Sequence, residues 1–519
     1  MKASSPRSFF GAYHILVVVI LFLAGFSIRV YDLTDLPFDF HPTRQLYSLI
    51  KARGMYYQGR ADVSAEQRQF AVQQWKSKAE IEPEIVERLT AFTYRFTGEQ
   101  VWVGRFYSIF FWLIGGLFLY FLARDLVSEE GGLAALAFYL FQPYAVFASR
   151  SFQPDPLMVA FIIAFWWAVM KWAKLIEPRS GEGRKADQKE SSRSSFLRGE
   201  SLWAILAGLL GGLAILIKFS AVFFVLGGGL GAALSALSLK NVIRRPQVWT
   251  MAVLGVLPGA AYFVYGVYIA GFLGQQFSGR FIPSLLLSPT FYFNWLSTLN
   301  HVMGLGFALA LLGVFLFRKR GFILGLWGAY FAYGLYFDYH IWSHDYYNLP
   351  LLPLAALSLS PLVAWGLARL AESTSGSRWM RGLSVAVLAL GLVSVLWDVR
   401  STLKSVDYRP DAVMWESIAQ ILGPDARAVA LTQDYGMRLA FWGWLDTAQW
   451  PLAGDLSYHE DLRGAQADFD ERFKNLASKR DFFLVTLPDE LNAQPMLKER
   501  LATYPIFAEG DGYVIYDLR

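Results

Sequence analysis

Residues 202–239 read LWAILAGLLGGLAILIKFSAVFFVLGGGLGAALSALSL, an apolar run interrupted by one charge, Lys218. As a single helix it would be about 57 Å long, at about 1.5 Å of rise per residue. The hydrocarbon core of a bilayer is about 30 Å thick. The run must therefore cross twice, turning at Lys218-Phe219-Ser220. Basic clusters flank it on both sides, with Arg193 and Arg198 before it and Lys240, Arg244 and Arg245 after it. Basic loops stay on the cytoplasmic face, and two crossings return both clusters to that face where one would not. The chain reads as a polytopic α-helical membrane protein.

Working outward, residues 14–30 form a first apolar segment behind Lys2 and Arg7, and without a convincing small-x-small cleavage pattern it reads as a retained anchor. A long polar loop follows at 31–100, then apolar segments at 101–123, 131–147 and 156–173. Residues 176–200 are rich in Ser, Gly and charge and read as a disordered cytoplasmic loop. After the 202–239 pair come segments at 248–270, 301–317, 321–337, 349–370 and 383–397, for a total of about eleven spans. An N-terminus in the cytoplasm places the 176–200 loop, the Lys240–Arg245 cluster, Arg318-Lys319-Arg320, and Arg369, Arg378 and Arg381 all inside. It leaves the C-terminus outside. Residues 1–400 read as a membrane domain and 401–519 as a small extracytoplasmic α/β domain, with strand-length apolar runs at 428–431, 482–486 and 512–516 and helical stretches at 413–421 and 468–477.

Composition agrees with this plan. The wide apolar count is 55%, and 18 Trp and 26 Tyr suit two interfacial belts. The net charge of +5 is explained by topology, so no nucleic-acid partner is expected. With no cysteine, disulfides, thiolate metal sites and Cys nucleophiles are excluded.

Topology also sorts the unusual polar residues. The first loop carries Asp39-Phe40-His41-Pro42-Thr43-Arg44; the turn after the third segment carries Arg150-Ser151-Phe152-Gln153-Pro154-Asp155; Lys218 sits between the fifth and sixth; and Asp338-Tyr339-His340 and Ser343-His344-Asp345-Tyr346-Tyr347 precede the tenth. All four turns fall on the outer face. A charge at a membrane boundary is cheap when it reaches water, so the shared side is the signal rather than any one residue.

The order of these residues resembles a known family. Asp39 stands in the first loop, then Glu82-Pro83, then Gly98 and Arg105 at the start of the second span. Asp155 follows the third span, Lys218 the fifth, and His344-Asp345-Tyr346-Tyr347 precedes a late one. Over about residues 10–370 this is similar to the GT-C glycosyltransferases of the protein O-mannosyltransferase and aminoarabinose transferase type, the family-39-like group. Those enzymes often carry Asp-Glu in the first loop; here Asp39 is followed by Phe40 and His41, and a second carboxylate is missing there.

The resemblance implies a GT-C fold, a polyprenyl-phosphate sugar donor, and an acceptor hydroxyl on a lipid, glycan or protein, with inversion at the sugar. It implies an integral plasma (inner) membrane protein of a prokaryote. Asp39 is then the candidate general base; as an alternative it caps the helix starting at Pro42. Arg44, Arg105, Arg150 and Lys218 are candidates for the donor phosphate, whose charge grows in the transition state. As alternatives, Lys218 snorkels and Arg105 anchors the interface. Glu82, Asp155 and His344 are candidates for a divalent metal ion or for the acceptor, and Asp155 is alternatively a helix cap. His41, Tyr346 and Tyr347 complete the set; as an alternative, His340, His344 and the two tyrosines are plain interfacial aromatics.

Two other functions fit a polytopic chain. A transporter or flippase of lipid-linked glycans calls for mid-span charges and repeated halves, and neither is evident here. A surface-glycan polymerase or ligase usually places its large loop late rather than after the first span.

Overall fold

The computed structural model describes residues 9–177, 190–274, 281–463 and 468–519. The chain divides into two compact units. One takes the chain up to Leu33, Glu80–Ile85 and Arg105–Lys404; the other takes Thr34–Ala79, Val86–Gly104 and Ser405–Arg519.

Among the described residues eight helices are long and apolar enough to cross a membrane: Gly11–Val30, Trp102–Leu126, Asp155–Ile176, Gly199–Ile217, Phe219–Ala236, Pro246–Ile269, Leu351–Ser373 and Arg378–Leu403. Two bent pairs bring the number to ten: Glu129–Phe141 with Pro143–Ser149, bent by 64°, and Pro289–Met303 with Leu305–Leu316, bent by 92°. The first bend follows from Gln142-Pro143. The proline has no N–H to give to the preceding turn, and the Gln142 side chain instead accepts from the Ala145 N–H at 2.7 Å and starts a new helix. The second falls at Gly304, whose φ of 54° and ψ of −136° suit a residue without a side chain. The expected segment 321–337 is the helix Arg320–Tyr336, only 17 residues long. The expected count of about eleven therefore becomes eight to ten full-length spans plus this shorter helix.

The 202–239 run breaks where its one charge stands. Lys218 is extended, with φ −150° and ψ 119°, between the helix ending at Ile217 and a short turn at Phe219–Ala221. Before it, helix already begins at Glu190, so the loop expected over 176–200 is shorter than that; 178–189 lie outside the described residues.

The returning helix, Val222–Ala236, crosses Arg320–Tyr336 on glycine. A Cβ built on Gly227 would lie 2.6 Å from the Gly325 carbonyl oxygen, and one on Gly231 would lie 2.8 Å from that of Gly321. Both helices thus carry a small-xxx-small pattern and meet backbone to backbone.

In the second unit, five strands form one sheet: β1 (Ala428–Leu431), β2 (Thr447–Gln449), β3 (Phe482–Val485), β4 (Ile506–Gly510) and β5 (Tyr513–Asp517), in the order β2-β1-β3-β5-β4. β2, β1 and β3 run parallel, and β5 and β4 are antiparallel to their neighbours. Ala428, Ala430, Phe482 and Leu484 pack under Trp415 and Ile418 of the helix Arg409–Leu422, while Val429, Leu431, Phe483 and Val485 pack against Trp450, Phe473 and Leu501. With both faces covered, these strands are apolar without alternation. Asp511-Gly512 closes the last hairpin with Gly512 at φ 80°.

Candidate active site

In the membrane unit, the side chain of Lys218 meets that of Asp155. Nζ donates to Oδ1 at 2.8 Å, and the residues are 9% and 1% exposed. The ammonium also lies 5.1 Å from the ring centroids of both Tyr346 and Tyr347, close enough for each ring face to attract it. Three other sequence candidates, Asp155 for the acceptor or a metal and Tyr346 and Tyr347, are therefore neighbours of Lys218. Lys218 does not snorkel to water, and the N-cap of the helix Asp155–Ile176 is Pro154 with no side-chain cap, so Asp155 serves the ion pair instead. Asp155 Oδ2 has no hydrogen-bond partner among the described residues.

An apolar cavity of about 260 Å³ is lined by Ile215, Phe219, Val222, Val256, Ala260 and Phe263. Phe219, one of the lining residues, follows Lys218 directly in the chain.

Arg105 and Arg150 are buried and reach backbone carbonyls. Arg105 donates to Arg150 O at 3.2 Å and Leu33 O at 3.3 Å, and Arg150 to Asp32 O at 3.1 Å. They tie the end of the first span to the start of the second and to the turn after the third. Sequence reading passed over Arg29 at the end of the first span. It is fully buried, donating to Ser149 Oγ at 2.7 Å and Gly25 O at 2.8 Å. Gln153, 1% exposed, was also passed over, and both polar atoms of its amide are unpartnered among the described residues.

The late turn is an aromatic cluster. The rings of His340 and His344 are 5.3 Å apart, as are those of His340 and Tyr347. His344 Nδ1 is 2.9 Å from Ser343 Oγ. Asn348 fixes the turn by donating to the Ile341 and Asp345 carbonyls while accepting from Tyr330 Oη at 2.6 Å. Burial pushes the Asp338 carboxyl above its ordinary value, partly offset by the Ile282 and Tyr339 N–H groups that it accepts.

The expected metal set does not assemble. Glu82 is half-buried, Asp155 holds Lys218 and His344 faces Ser343. Among the described residues no group of three His, Asp or Glu side chains is placed to hold a metal ion. Ligands drawn from three separate loops carry no spacing that fixes their approach.

Asp39, His41 and Arg44 belong to the other unit. The N-cap position of the helix Pro42–Gln58 is His41, in a left-handed conformation, φ 41°, and not Asp39. The turn bearing Asp39 is held by Gln45, whose amide donates to the carbonyls of Pro37 at 3.0 Å and Phe40 at 2.6 Å. Asp35 accepts from the Tyr408 N–H at 3.1 Å. Burial first, then the carboxylates of Asp39 and Asp35, push the Tyr408 phenol up. Arg44 is half-buried one residue after Thr43, which donates to Asp434 Oδ1 at 2.7 Å.

Comparison with known proteins gives the fold a context. Residues 82–180 match the dolichyl-phosphate-mannose-protein mannosyltransferase family. No curated protein matches the chain in sequence. Among solved structures, ArnT from Cupriavidus metallidurans bound to undecaprenyl phosphate is 16% identical, with 97% of this chain and 98% of that one covered and a TM-score of 0.56. The oligosaccharyltransferase AglB from Archaeoglobus fulgidus, in complex with an inhibitory peptide and a dolichol-phosphate, is 13% identical, covering 98% of this chain and 74% of its own at a TM-score of 0.54. The same archaeal enzyme in complex with Zn and sulfate is 12% identical, covering 96% and 73% at 0.52. The chain thus shares the fold of these membrane glycosyltransferases, and its residues 82–180 match the mannosyltransferase family.

Proposed function

We propose that the chain transfers a sugar from a polyprenyl-phosphate-linked donor to an acceptor hydroxyl at the outer face of a prokaryotic plasma membrane, with inversion. The observation that carries this is the buried Lys218–Asp155 pair under two tyrosine rings, one residue along the chain from Phe219 of an apolar cavity. A lipid phosphate needs both surfaces at one place, a cation for the head and an apolar channel for the chain. ArnT was solved with undecaprenyl phosphate and AglB with a dolichol-phosphate and a peptide, which supports the same donor class here and an acceptor that is a lipid, glycan or protein. Asp155 holds the ammonium ready; as the phosphate leaves and its charge rises, Lys218 stabilises it, with Arg44, Arg105 and Arg150 as further cations. Asp39 takes the acceptor proton, with His41 beside it. Glu82 and His344 serve the acceptor.

In this proposal residues 1–400 form the catalytic membrane domain, with the N-terminus in the cytoplasm, and 401–519 an extracytoplasmic domain.

The test is reconstitution in proteoliposomes with an undecaprenyl-phosphate-linked sugar and a mixture of lipid A, oligosaccharide and peptide acceptors. Sugar transfer with release of undecaprenyl phosphate is expected. Movement of intact donor across the bilayer without transfer, or use of nucleotide sugars alone, would overturn the proposal.

A further inference from the structure

A second polar site lies at the far end of the membrane helices. It is built where Trp102–Leu126, Asp155–Ile176 and Phe219–Ala236 end and Arg320–Tyr336 begins. Two adjoining cavities, of about 120 and 560 Å³, share Asp125, Leu126, Glu177, Ser235 and Lys319 in their walls. Lys174, which lines the smaller one, is 19 residues along its helix from Asp155, about 28 Å at about 1.5 Å per residue. The site is therefore separate from the Lys218 pair.

Among the described residues its charge is unbalanced. Lys171 binds Asp125 at 2.7 Å and Lys319 binds Glu177 at 2.6 Å, which neutralises both carboxylates of the two cavities. Lys174, Arg318 and Arg320 remain, with three positive charges around the mouth. Leu122, Trp167, Met170 and Ala236 form the inner wall of the smaller cavity. One further group points to a ligand. The indole Nε1 of Trp167 is buried and has no hydrogen-bond partner among the described residues. An indole N–H is a donor only, and burying it unpaired has a cost that an acceptor oxygen would remove.

We infer that this cavity binds one anionic glycerophospholipid from the membrane leaflet on that side. Its phosphate faces Lys174, Arg318 and Arg320, an ester carbonyl accepts from Trp167, and an acyl chain follows Leu122 and Met170. Basic pockets between helices attract anionic headgroups, and a free anion would leave the apolar wall and the indole unused. The inference does not depend on the transfer reaction.

The test uses the full chain, purified in detergent and stripped of lipid, and reads melting temperature against added phosphatidylglycerol, phosphatidylcholine or inorganic phosphate. Phosphatidylglycerol should raise it saturably, and the other two should not. Lys174→Gln with Arg318→Gln and Arg320→Gln should weaken phosphatidylglycerol about a hundredfold. Trp167→Phe keeps every charge and the ring, so it tests the site even if the triple variant folds poorly, and should weaken it severalfold. Equal stabilisation by phosphatidylcholine, a full shift from inorganic phosphate alone, or wild-type titration in Trp167→Phe or in the folded triple variant would overturn the inference.

Discussion

Lys218 and Asp155, 63 residues apart in the chain, share a 2.8 Å hydrogen bond inside the membrane unit with almost no exposure to solvent. A buried pair of this kind adds little net stability, yet breaking it by removing one partner costs about 3–5 kcal/mol. Lys218→Met strands a carboxylate, and Asp155→Asn strands an ammonium. Each single change should therefore destabilise strongly, while the double change should recover most of the loss. Detergent-solubilised melting curves for the four proteins decide it; additive losses would mean that the two groups do not hold each other.

The same variants separate stability from chemistry. If the ammonium is used on the donor phosphate, the folded double variant should still lose about 10–150-fold in catalytic efficiency, the value of one charge-assisted hydrogen bond. Initial rates at varied donor concentration measure this, and wild-type efficiency in the double variant would leave Arg44, Arg105 and Arg150 as the phosphate cations.

Asp39→Asn should reduce turnover about 10²–10⁴-fold, the usual worth of a general base. His41, not Asp39, holds the N-cap position of the following helix, and the melting temperature should stay near wild type. Turnover above about a tenth of wild type would assign the proton to another group.

Topology is testable without background, since the chain has no cysteine. Ser238, after the helix Val222–Ala236, and Ser457 in the second unit are both exposed. In intact cells an impermeant maleimide should miss Ser238→Cys and label Ser457→Cys. The reverse pattern would invert the orientation and with it the proposed outer-face reaction.

The C-terminal sheet should weaken in acid. A hydrogen bond from Arg519 holds the Asp517 carboxyl down to about 2 from 3.8, and Arg427 lowers that of Asp481. Carboxyls lowered in the folded state add stability above their ordinary value and lose it as pH falls through the folded one. Hydrogen exchange in β3 and β5 should therefore speed up between about pH 4 and about pH 2. These pairs are exposed, so the effect is small and salt-sensitive. Arg519→Gln should move the onset upward; an unchanged profile would show that the pair is idle.

Much of this architecture is written locally. The 202–239 run declares its two crossings by length alone, and β1 and β3 announce themselves as short apolar runs. The bend at Gln142-Pro143 was legible from the proline but was absorbed into one apolar segment. Other features are not local at all. Arg29 reads as an interface anchor until Ser149, 120 residues away, is seen to accept from it. Gln153 looks like any turn residue, because its burial is made by packing. β2 is three half-buried residues at a sheet edge, too short for any period to appear. Nothing in the spacing of spans predicts which ionic groups meet, so the Lys218–Asp155 partnership and the failure of the metal set both had to come from three dimensions.

The glycine crossing of Val222–Ala236 over Arg320–Tyr336 has a mechanical consequence. One helix starts just after Lys218, and the other leads to the turn bearing Tyr346 and Tyr347. Contacts between long side chains can relax by changing rotamer, whereas two main chains touching at glycine have no such freedom. The gap between the ammonium and the tyrosine rings is thus gauged by bare backbone. It should hold its width when the surrounding lipid thins, thickens or warms, so that in the proposed reaction the bilayer would tune how the donor arrives far more than how it is gripped.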